Sequence, residues 1–122
     1  RVILRAPGMD VDEFRALVVG SGLHSVEYAI GWTAWLDVAP QGVTKASALA
    51  RLAARLGTDA AHAVAVGDGG NDIEMISWAG AGAVMGSAPR PVVEAGDLVT
   101  ESVWRDGAAA VMDAVIERVR FA

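Results

Sequence analysis

The chain has 122 residues, of which 53% are hydrophobic and 20% charged, and it carries a formal net charge of -5 at pH 7 and no cysteine. This composition indicates a folded globular domain or part of one, and it excludes disulfides and thiolate metal sites. The negative charge, with no opposing cluster of Lys and Arg, argues against binding to nucleic acid. Because no apolar run reaches the roughly 18 residues of a membrane helix and no signal segment opens the chain, we expect no membrane partner and a cytoplasmic location.

Residues 1–40 predict a small α+β unit that ends in a hairpin. The predicted elements are a strand at 2–5, a helix at 11–19, and strands at 25–30 and 34–38. Asp10 is placed to cap the helix. The apolar residues that should share one face of this helix are Val11, Phe14, Leu17 and Val18.

Residues 41–122 follow the joint Pro40-Gln41-Gly42 and alternate helix with strand, which is typical of a parallel sheet with crossover helices. The predicted helices lie at 45–56, 72–78, 91–95 and near the end of the chain, and the predicted strands at 63–66, 81–85 and 98–99. Two helices carry an apolar stripe: Leu49, Leu52, Ala53 and Leu56 in the first, and Val111, Met112, Val115, Ile116 and Val119 in the last.

The turn GDGGND, residues 67–72, directly follows a predicted strand, at the sheet edge where open parallel sheets bind ligands. It does not fit a dinucleotide fingerprint, because Asp72 stands where glycine is needed, and it lacks the G-K-[ST] of a P-loop. The spacing of a calcium loop fails at Gly70.

What the turn offers is two carboxylates, Asp68 and Asp72, that can face one hard cation. Mg²⁺ suits such a site, because it commonly takes one or two carboxylates, several waters and a substrate phosphate. The glycines let the backbone approach the ion closely. The alternative is a plain turn in which Asp72 only caps a helix.

The segments GDGGND, IEMI, AGAGAVMGSAPRPVVEAGDLVT and the later Asp106-Gly107 resemble the C-terminal half of a haloacid dehalogenase (HAD) superfamily phosphatase of subclass IIB, the Cof-type sugar phosphatases. The upstream DVAPQGVTKASAL is similar to the family segment in which a lysine opens a helix after the cap domain. The resemblance implies an α/β fold: the C-terminal half of a HAD-type Rossmannoid parallel sheet with helices on both faces. It assigns 41–122 to this core and 1–40 to the closing part of an α+β cap.

The resemblance also implies roles for individual residues. Asp68 matches the metal ligand of the acidic motif, and Asp72 its second carboxylate, which binds Mg²⁺ directly or through water. Asn71 would contact phosphate or a metal-bound water. Lys45 would neutralise the nucleophile and the transferring phosphoryl group. The implied reaction is hydrolysis of a phosphomonoester, such as a sugar phosphate or a similar small metabolite.

The family's nucleophile, the first aspartate of a D-x-D-x-[TV] motif after an apolar strand, has no match here. The only D-x-D is Asp10-Val11-Asp12, whose flanks suit the start of a helix. We therefore expect the sequence to begin inside the cap and this chain alone to be inactive. The strand at 63–66 should then have an open edge, to be covered by a missing N-terminal segment, a second chain or self-association.

Other positions leave alternatives open. Trp32 and Trp35 could lie over an active site or only pack the hairpin, and His24 and His62 suit structural or surface roles. Ser87 replaces the Asn of the family's M-G-N-A loop, which puts an amide contact from this loop in doubt. Two other functions remain: a non-catalytic binding or assembly module, and the phosphorylation domain of a P-type ATPase, whose G-D-G-x-N-D turn usually continues differently from Ile73-Glu74-Met75-Ile76.

Overall fold

The structure is a computed structural model that describes residues 2–23, 26–30 and 33–120. His24, Trp32, and the first residue of the strand predicted at 25–30 lie outside the described residues. The chain divides into two compact units, Arg1–Thr44 and Lys45–Ala122. The boundary falls shortly after the joint predicted at Pro40-Gln41-Gly42, and the assignment of the first unit to a cap domain stays a prediction.

Six strands and five α-helices follow one another along the described chain. The first unit contains β1 (Val2–Arg5), α1 (Val11–Gly20), β2 (Val26–Ile30) and β3 (Trp35–Pro40). The second contains α2 (Lys45–Leu56), β4 (Val64–Gly67), α3 (Ile73–Trp78), β5 (Ala81–Val84), α4 (Arg90–Val93), β6 (Leu98–Val99) and α5 (Gly107–Arg120), with short 3-10 turns at Ala60–His62, Gly70–Asp72 and Val103–Arg105. None of the helices among the described residues is long and apolar enough to cross a bilayer.

The first unit is an antiparallel sheet in the order β1-β3-β2, packed on α1. Leu36 of the central strand pairs with Leu4 on one side and with Ile30 on the other. Its side chain forms a core with Phe14 and Val18 of α1. The predicted N-terminal cap of helix α1 is confirmed, because the Asp10 carboxylate accepts a hydrogen bond from the Asp12 amide at 2.8 Å.

The second unit is a parallel sheet in the order β4-β5-β6, with Gly67 beside Val84 and Val84 beside Val99. Its core joins the middle strand to two helices through Ile76, Val84 and Val92. Gly57 ends α2 with a φ of 71°, a left-handed conformation that glycine adopts without steric cost. The α/β architecture predicted from the sequence is confirmed.

Several apolar side chains on the predicted helix faces are exposed in the structure. Leu17 of α1 is 56% exposed, although it belongs to the apolar face predicted for this helix. In α2 only Ala53 is buried, while Leu52 and Leu56 are 51% and 71% exposed. Along α5 the predicted stripe faces outward. Periodicity therefore located the apolar faces correctly, but it could not show whether another element of this chain covers them.

The turn before α5 has the tightest steric constraint among the described glycines. A Cβ on Gly107 would lie 1.9 Å from the carbonyl oxygen of Glu101, well inside van der Waals contact. Its carbonyl accepts a hydrogen bond from the Thr100 hydroxyl at 2.9 Å, and Asp106 before it is left-handed, with a φ of 54°. Packing therefore requires glycine at position 107, and Asp106 holds the left-handed position before it.

We expect Gly107→Ala to lower the free energy of unfolding by about 3 kcal/mol, because the added methyl group must displace the backbone at Glu101. Urea titration measures this change. The matched control is Gly70→Ala in the same unit, where a Cβ meets no atom within 4 Å and where we expect a change of about 0.5 kcal/mol or less. Equal losses in the two variants would refute the steric explanation.

Candidate active site

The candidate site lies at the carboxyl end of β4, where the chain leaves the sheet. Gly67 is the last residue of the strand, and its carbonyl accepts a hydrogen bond from the Met85 amide, just beyond β5, at 2.9 Å. Asp68 is the next residue. Because the two strands are parallel, the loops that follow them meet at this edge, as in ligand sites of open parallel sheets.

Asp72 is the one buried charged residue among those the structure describes, with 4% of its surface exposed. Its Oδ2 accepts hydrogen bonds from the backbone amides of Asp68 and Gly69, both at 3.0 Å. The Asp72 amide in turn donates to the carbonyl of Gly69 at 2.9 Å. These reciprocal bonds close the turn and fix the backbone of Asp68 relative to the start of α3.

Gly67 makes room for this carboxylate. A Cβ on Gly67 would lie 2.5 Å from the Cβ of Asp72 and 2.9 Å from its Oδ2. Any larger residue would push the Asp72 side chain away from the turn that it closes. The first glycine of the motif is therefore required by packing.

Lys45, the first residue of α2, reaches the other carboxylate oxygen. Its Nζ donates a hydrogen bond to Asp72 Oδ1, across 27 positions of sequence. The Lys45 side chain is 48% exposed, whereas that of Asp72 is 6% exposed. An ammonium group has three hydrogens to donate, so the solvent-facing side of Nζ can also bind an anion.

The contacts of Asp72 also control its ionisation. Burial disfavours the carboxylate, but hydrogen bonds from Lys45, Gly69 and Asp68 outweigh burial and hold the pKa of Asp72 below its ordinary value of 3.8. The group is therefore ionised at neutral pH and forms a partly buried ion pair with Lys45.

Asp68 and Asn71 have exposed side chains at the same turn. The Asn71 Oδ1 lies 2.9 Å from the position that a Cβ on Gly69 would take, so the amide folds over this glycine. Among the contacts of the described residues, the Asp68 carboxylate has no hydrogen-bond or ion-pair partner and faces solvent. The structure thus brings together all four predicted site residues: Lys45, Asp68, Asn71 and Asp72.

Comparison with known proteins places this geometry in a family. Residues 11–112 match the family model described as haloacid dehalogenase-like hydrolase. A phosphoglycolate phosphatase of Methanoculleus marisnigri is 37% identical over 102 residues, which are 84% of this chain and 43% of the relative. The 5-amino-6-(5-phospho-D-ribitylamino)uracil phosphatase of Bacillus subtilis is 40% identical over 61% of this chain and 30% of its own length. A solved structure of a HAD subclass IIB sugar phosphatase superposes with a TM-score of 0.75 and 30% identity, over 84% of this chain and 40% of that one.

The chain belongs to the haloacid dehalogenase-like hydrolases. The family predicted from the sequence is thereby confirmed. The chain spans less than half the length of these relatives, so family membership alone does not assign their activities to it.

The donor set at this turn fits Mg²⁺ at Asp68 better than at Asp72. Asp68 presents a carboxylate to solvent, and oxygen donors are the ligands that Mg²⁺ takes. Both oxygens of Asp72 already accept hydrogen bonds, and its Oδ1 faces an ammonium group that would repel a cation. Asp72 was expected to bind Mg²⁺ either directly or through a water molecule, and these contacts favour the second role. Among the described residues no three His, Cys, Asp or Glu side chains converge to hold a metal.

Other residues singled out in the sequence lie apart from this turn. His62 forms a hydrogen bond of 2.8 Å with Asp59 on an exposed turn, and this bond holds the pKa of Asp59 below its ordinary value. Trp35 begins β3 in the first unit. Ser87 is exposed in the loop after β5 and has no described contact with the site residues.

Sequence reasoning did not find the hydrogen bonds that Asp72 accepts from the backbone of its own turn. The spacing carried a signal for them, since an acidic residue three positions after Gly69 is the spacing of reciprocal capping bonds. The contact with Lys45 had no local signal, because it joins distant segments of the chain.

We expect the ionised Asp72 to stabilise the fold at neutral pH and to lose this effect in acid. Its folded-state pKa is depressed, so its contribution is fully present above the unfolded value of about 3.9 and is lost as the pH falls through the lower folded value. Asp72→Asn should lower the free energy of unfolding by about 2 kcal/mol at pH 7, with the difference shrinking below about pH 4. Urea titrations at a series of pH values measure it.

The control for this experiment is Asp113→Asn, an exposed aspartate in α5, for which we expect a change of about 0.5 kcal/mol or less. A difference between wild type and Asp72→Asn that stayed constant down to about pH 2 would contradict the assigned ionisation.

Proposed function

We propose that this chain carries the Mg²⁺-binding and phosphate-binding part of a phosphatase that hydrolyses phosphomonoesters of small metabolites. The observation that carries the proposal is the arrangement of Lys45, Asp72 and Asp68: an exposed carboxylate and a half-exposed ammonium group are held at one strand end by a single buried carboxylate. The phosphatase names of the relatives support this proposal.

Charge stabilisation explains why a phosphatase needs these groups. Phosphoryl transfer depends mainly on positioning and on neutralising charge at the phosphate oxygens. Bound Mg²⁺ would act as a Lewis acid on those oxygens, with Asp68 as its carboxylate ligand and Asn71 contacting phosphate or a metal-bound water. Lys45 would donate hydrogen bonds from the exposed side of Nζ to the phosphoryl group.

Asp72 has a positioning role in this proposal. It holds Lys45 Nζ through one oxygen and the backbone of Asp68 through the other. The ammonium and the metal ligand are thereby kept at a fixed separation before substrate binds. Such preorganisation stabilises a transition state, because the charged groups need not rearrange during the reaction.

The nucleophile is proposed to come from a polypeptide segment other than these residues. The only D-x-D of the chain forms the start of α1, where the Asp10 carboxylate accepts a hydrogen bond from the Asp12 amide. An aspartyl-phosphate requires a carboxylate free to attack. The 122-residue chain alone should therefore fail to hydrolyse p-nitrophenyl phosphate, a prediction that a direct assay with Mg²⁺ tests.

For the substrate we propose a small phosphorylated metabolite, with sugar phosphates as the first class to screen. A solved relative is titled a sugar phosphatase, while another relative is named for phosphoglycolate. Sugar phosphates and phosphoglycolate are both small phosphomonoesters, and they differ in the group that leaves when phosphate is released. The cytoplasmic location stays a prediction.

We expect Asp68→Asn to weaken binding of Mn²⁺, used as a spectroscopic substitute for Mg²⁺, by at least about tenfold, because the variant loses an anionic oxygen ligand. Electron paramagnetic resonance of the free ion measures the affinity in the 122-residue chain. The matched control is Asp59→Asn, another exposed aspartate of the same unit, which should leave the affinity unchanged. Equal affinity in wild type and Asp68→Asn would exclude the proposed ligand.

We expect Lys45→Gln to weaken binding of inorganic phosphate, measured by isothermal titration in saturating Mg²⁺, by about tenfold or more, because a charge-assisted hydrogen bond is lost. Arg55→Gln removes a positive charge from the last turn of the same helix and serves as the control. Metal binding without phosphate binding in the wild type would favour the alternative, a non-catalytic module.

A further inference from the structure

We propose that the first unit binds a small organic carboxylate in an open cavity between the end of β1 and the start of α1. This cavity, called here the β1–α1 cavity, is lined by residues 5–11 and 33–34, all of which belong to the first unit. Its volume of about 380 Å³ is within the range of sites for small molecules. The site goes beyond the proposed function, because no residue of the acidic turn lines it.

Backbone hydrogen bonds hold the walls of the β1–α1 cavity. The Ala6 amide donates to the Ala34 carbonyl at 2.8 Å, which ties the loop after β1 to the start of β3. The Met9 amide donates to the Ala6 carbonyl at 3.2 Å and closes the turn at Pro7 and Gly8. Gly8 has a φ of 85°, a conformation that glycine adopts without steric cost. The cavity is therefore largely formed before a ligand binds, as most small-molecule sites are.

Two side chains that line the β1–α1 cavity have donors to spare. Within the described part of the chain, the guanidinium group of Arg5 forms no ion pair and the hydroxyl group of Thr33 forms no hydrogen bond. A guanidinium group presents its N–H donors as a planar fork that matches the two oxygens of a carboxylate. The Thr33 hydroxyl can donate one further hydrogen bond. These groups favour an anionic ligand.

The other charges around the β1–α1 cavity favour a ligand with a single negative charge. Arg5 is the one cationic residue of the lining, and Asp10 lines the same cavity. Asp12 and Glu13 follow in the first turn of α1. Because Coulomb repulsion is proportional to charge, these acids repel a phosphate dianion about twice as strongly as a carboxylate. The ligand expected here is thus a carboxylate and not a second phosphate.

The remaining lining residues suit an uncharged body on this carboxylate. Ala34 is 8% exposed and belongs to the hydrophobic core of the first unit, while Met9 is 36% exposed. Val11, at the start of α1, adds a branched apolar side chain. A ligand that places its carboxylate at Arg5 and a few apolar carbon atoms on these side chains would use both parts of the cavity.

The test titrates benzoate, a carboxylate with an apolar ring, into the 122-residue chain and observes the methyl groups of its four methionines by nuclear magnetic resonance. Met9 lines the cavity, whereas Met75, Met85 and Met112 belong to the second unit. We expect benzoate to shift the Met9 signal saturably, with a dissociation constant of about 1 mM, and to leave the other three signals in place. Benzamide, an uncharged molecule of nearly the same shape, should bind at least about fivefold more weakly, and inorganic phosphate should also bind more weakly than benzoate.

Two variants test the donors. Arg5→Gln should weaken benzoate binding at least about fivefold, because the charged donor fork is lost. Thr33→Val, which keeps the shape of the side chain but removes the hydroxyl, should weaken it about threefold. The matched control is Arg15→Gln, which removes an exposed cation of α1 outside the cavity lining and should change the affinity by less than about twofold.

The carboxylate site would be overturned by a Met9 signal that does not shift saturably, by equal affinity for benzoate and benzamide, or by equal effects of Arg5→Gln and Arg15→Gln. A benzoate-induced shift of Met85 in place of Met9 would also overturn it, because the ligand would then lie in the second unit. Since the titration contains no Mg²⁺, a failure of the proposed metal site would leave its result unchanged.

Discussion

The buried carboxylate of Asp72 joins three segments of the second unit: the first turn of α2, the loop after β4 and the start of α3. A buried carboxylate is costly unless its oxygens are hydrogen-bonded, and here backbone amides and an ammonium group provide those bonds. The requirement works in both directions. Because the Asp72 carboxylate needs hydrogen bonds, it holds Lys45 and the backbone of Asp68 in place. Removing Lys45 would leave the buried carboxylate without its cationic partner.

This network also explains why the turn is rich in glycine. The carboxylate can lie against the end of β4 because Gly67 has no Cβ, and the Asn71 amide can fold over Gly69 for the same reason. A Cβ on Gly70, by contrast, would meet no atom within 4 Å, so packing does not require glycine there. Within one motif, steric need therefore differs from glycine to glycine, and composition alone does not separate them.

Much of this could be predicted from the sequence because the signals are local. Apolar patterning located every strand and three of the four α-helices of the second unit to within two residues, and it predicted the last helix without bounds. The acidic turn after β4 identified Asp68 and Asp72 as candidate site residues. The exposure of α2 and α5 could not be predicted, since an apolar stripe specifies a face and not its partner. The pairing of Lys45 with Asp72 depends on how two distant segments fold together, and only the family resemblance pointed to Lys45.

The charged turn and the apolar side of α5 differ in how far the second unit satisfies them. Asp72 satisfies its charge entirely within the second unit, so the turn can be ordered before any other polypeptide is present. Four apolar residues of α5, Met112, Val115, Ile116 and Val119, are instead exposed. Polar preorganisation is therefore local, whereas the exposed apolar residues of α5 add little hydrophobic stabilisation to the core formed by Ile76, Val84 and Val92. A fold organised in this way keeps Lys45 and the backbone of Asp68 in place through bonds to one buried carboxylate.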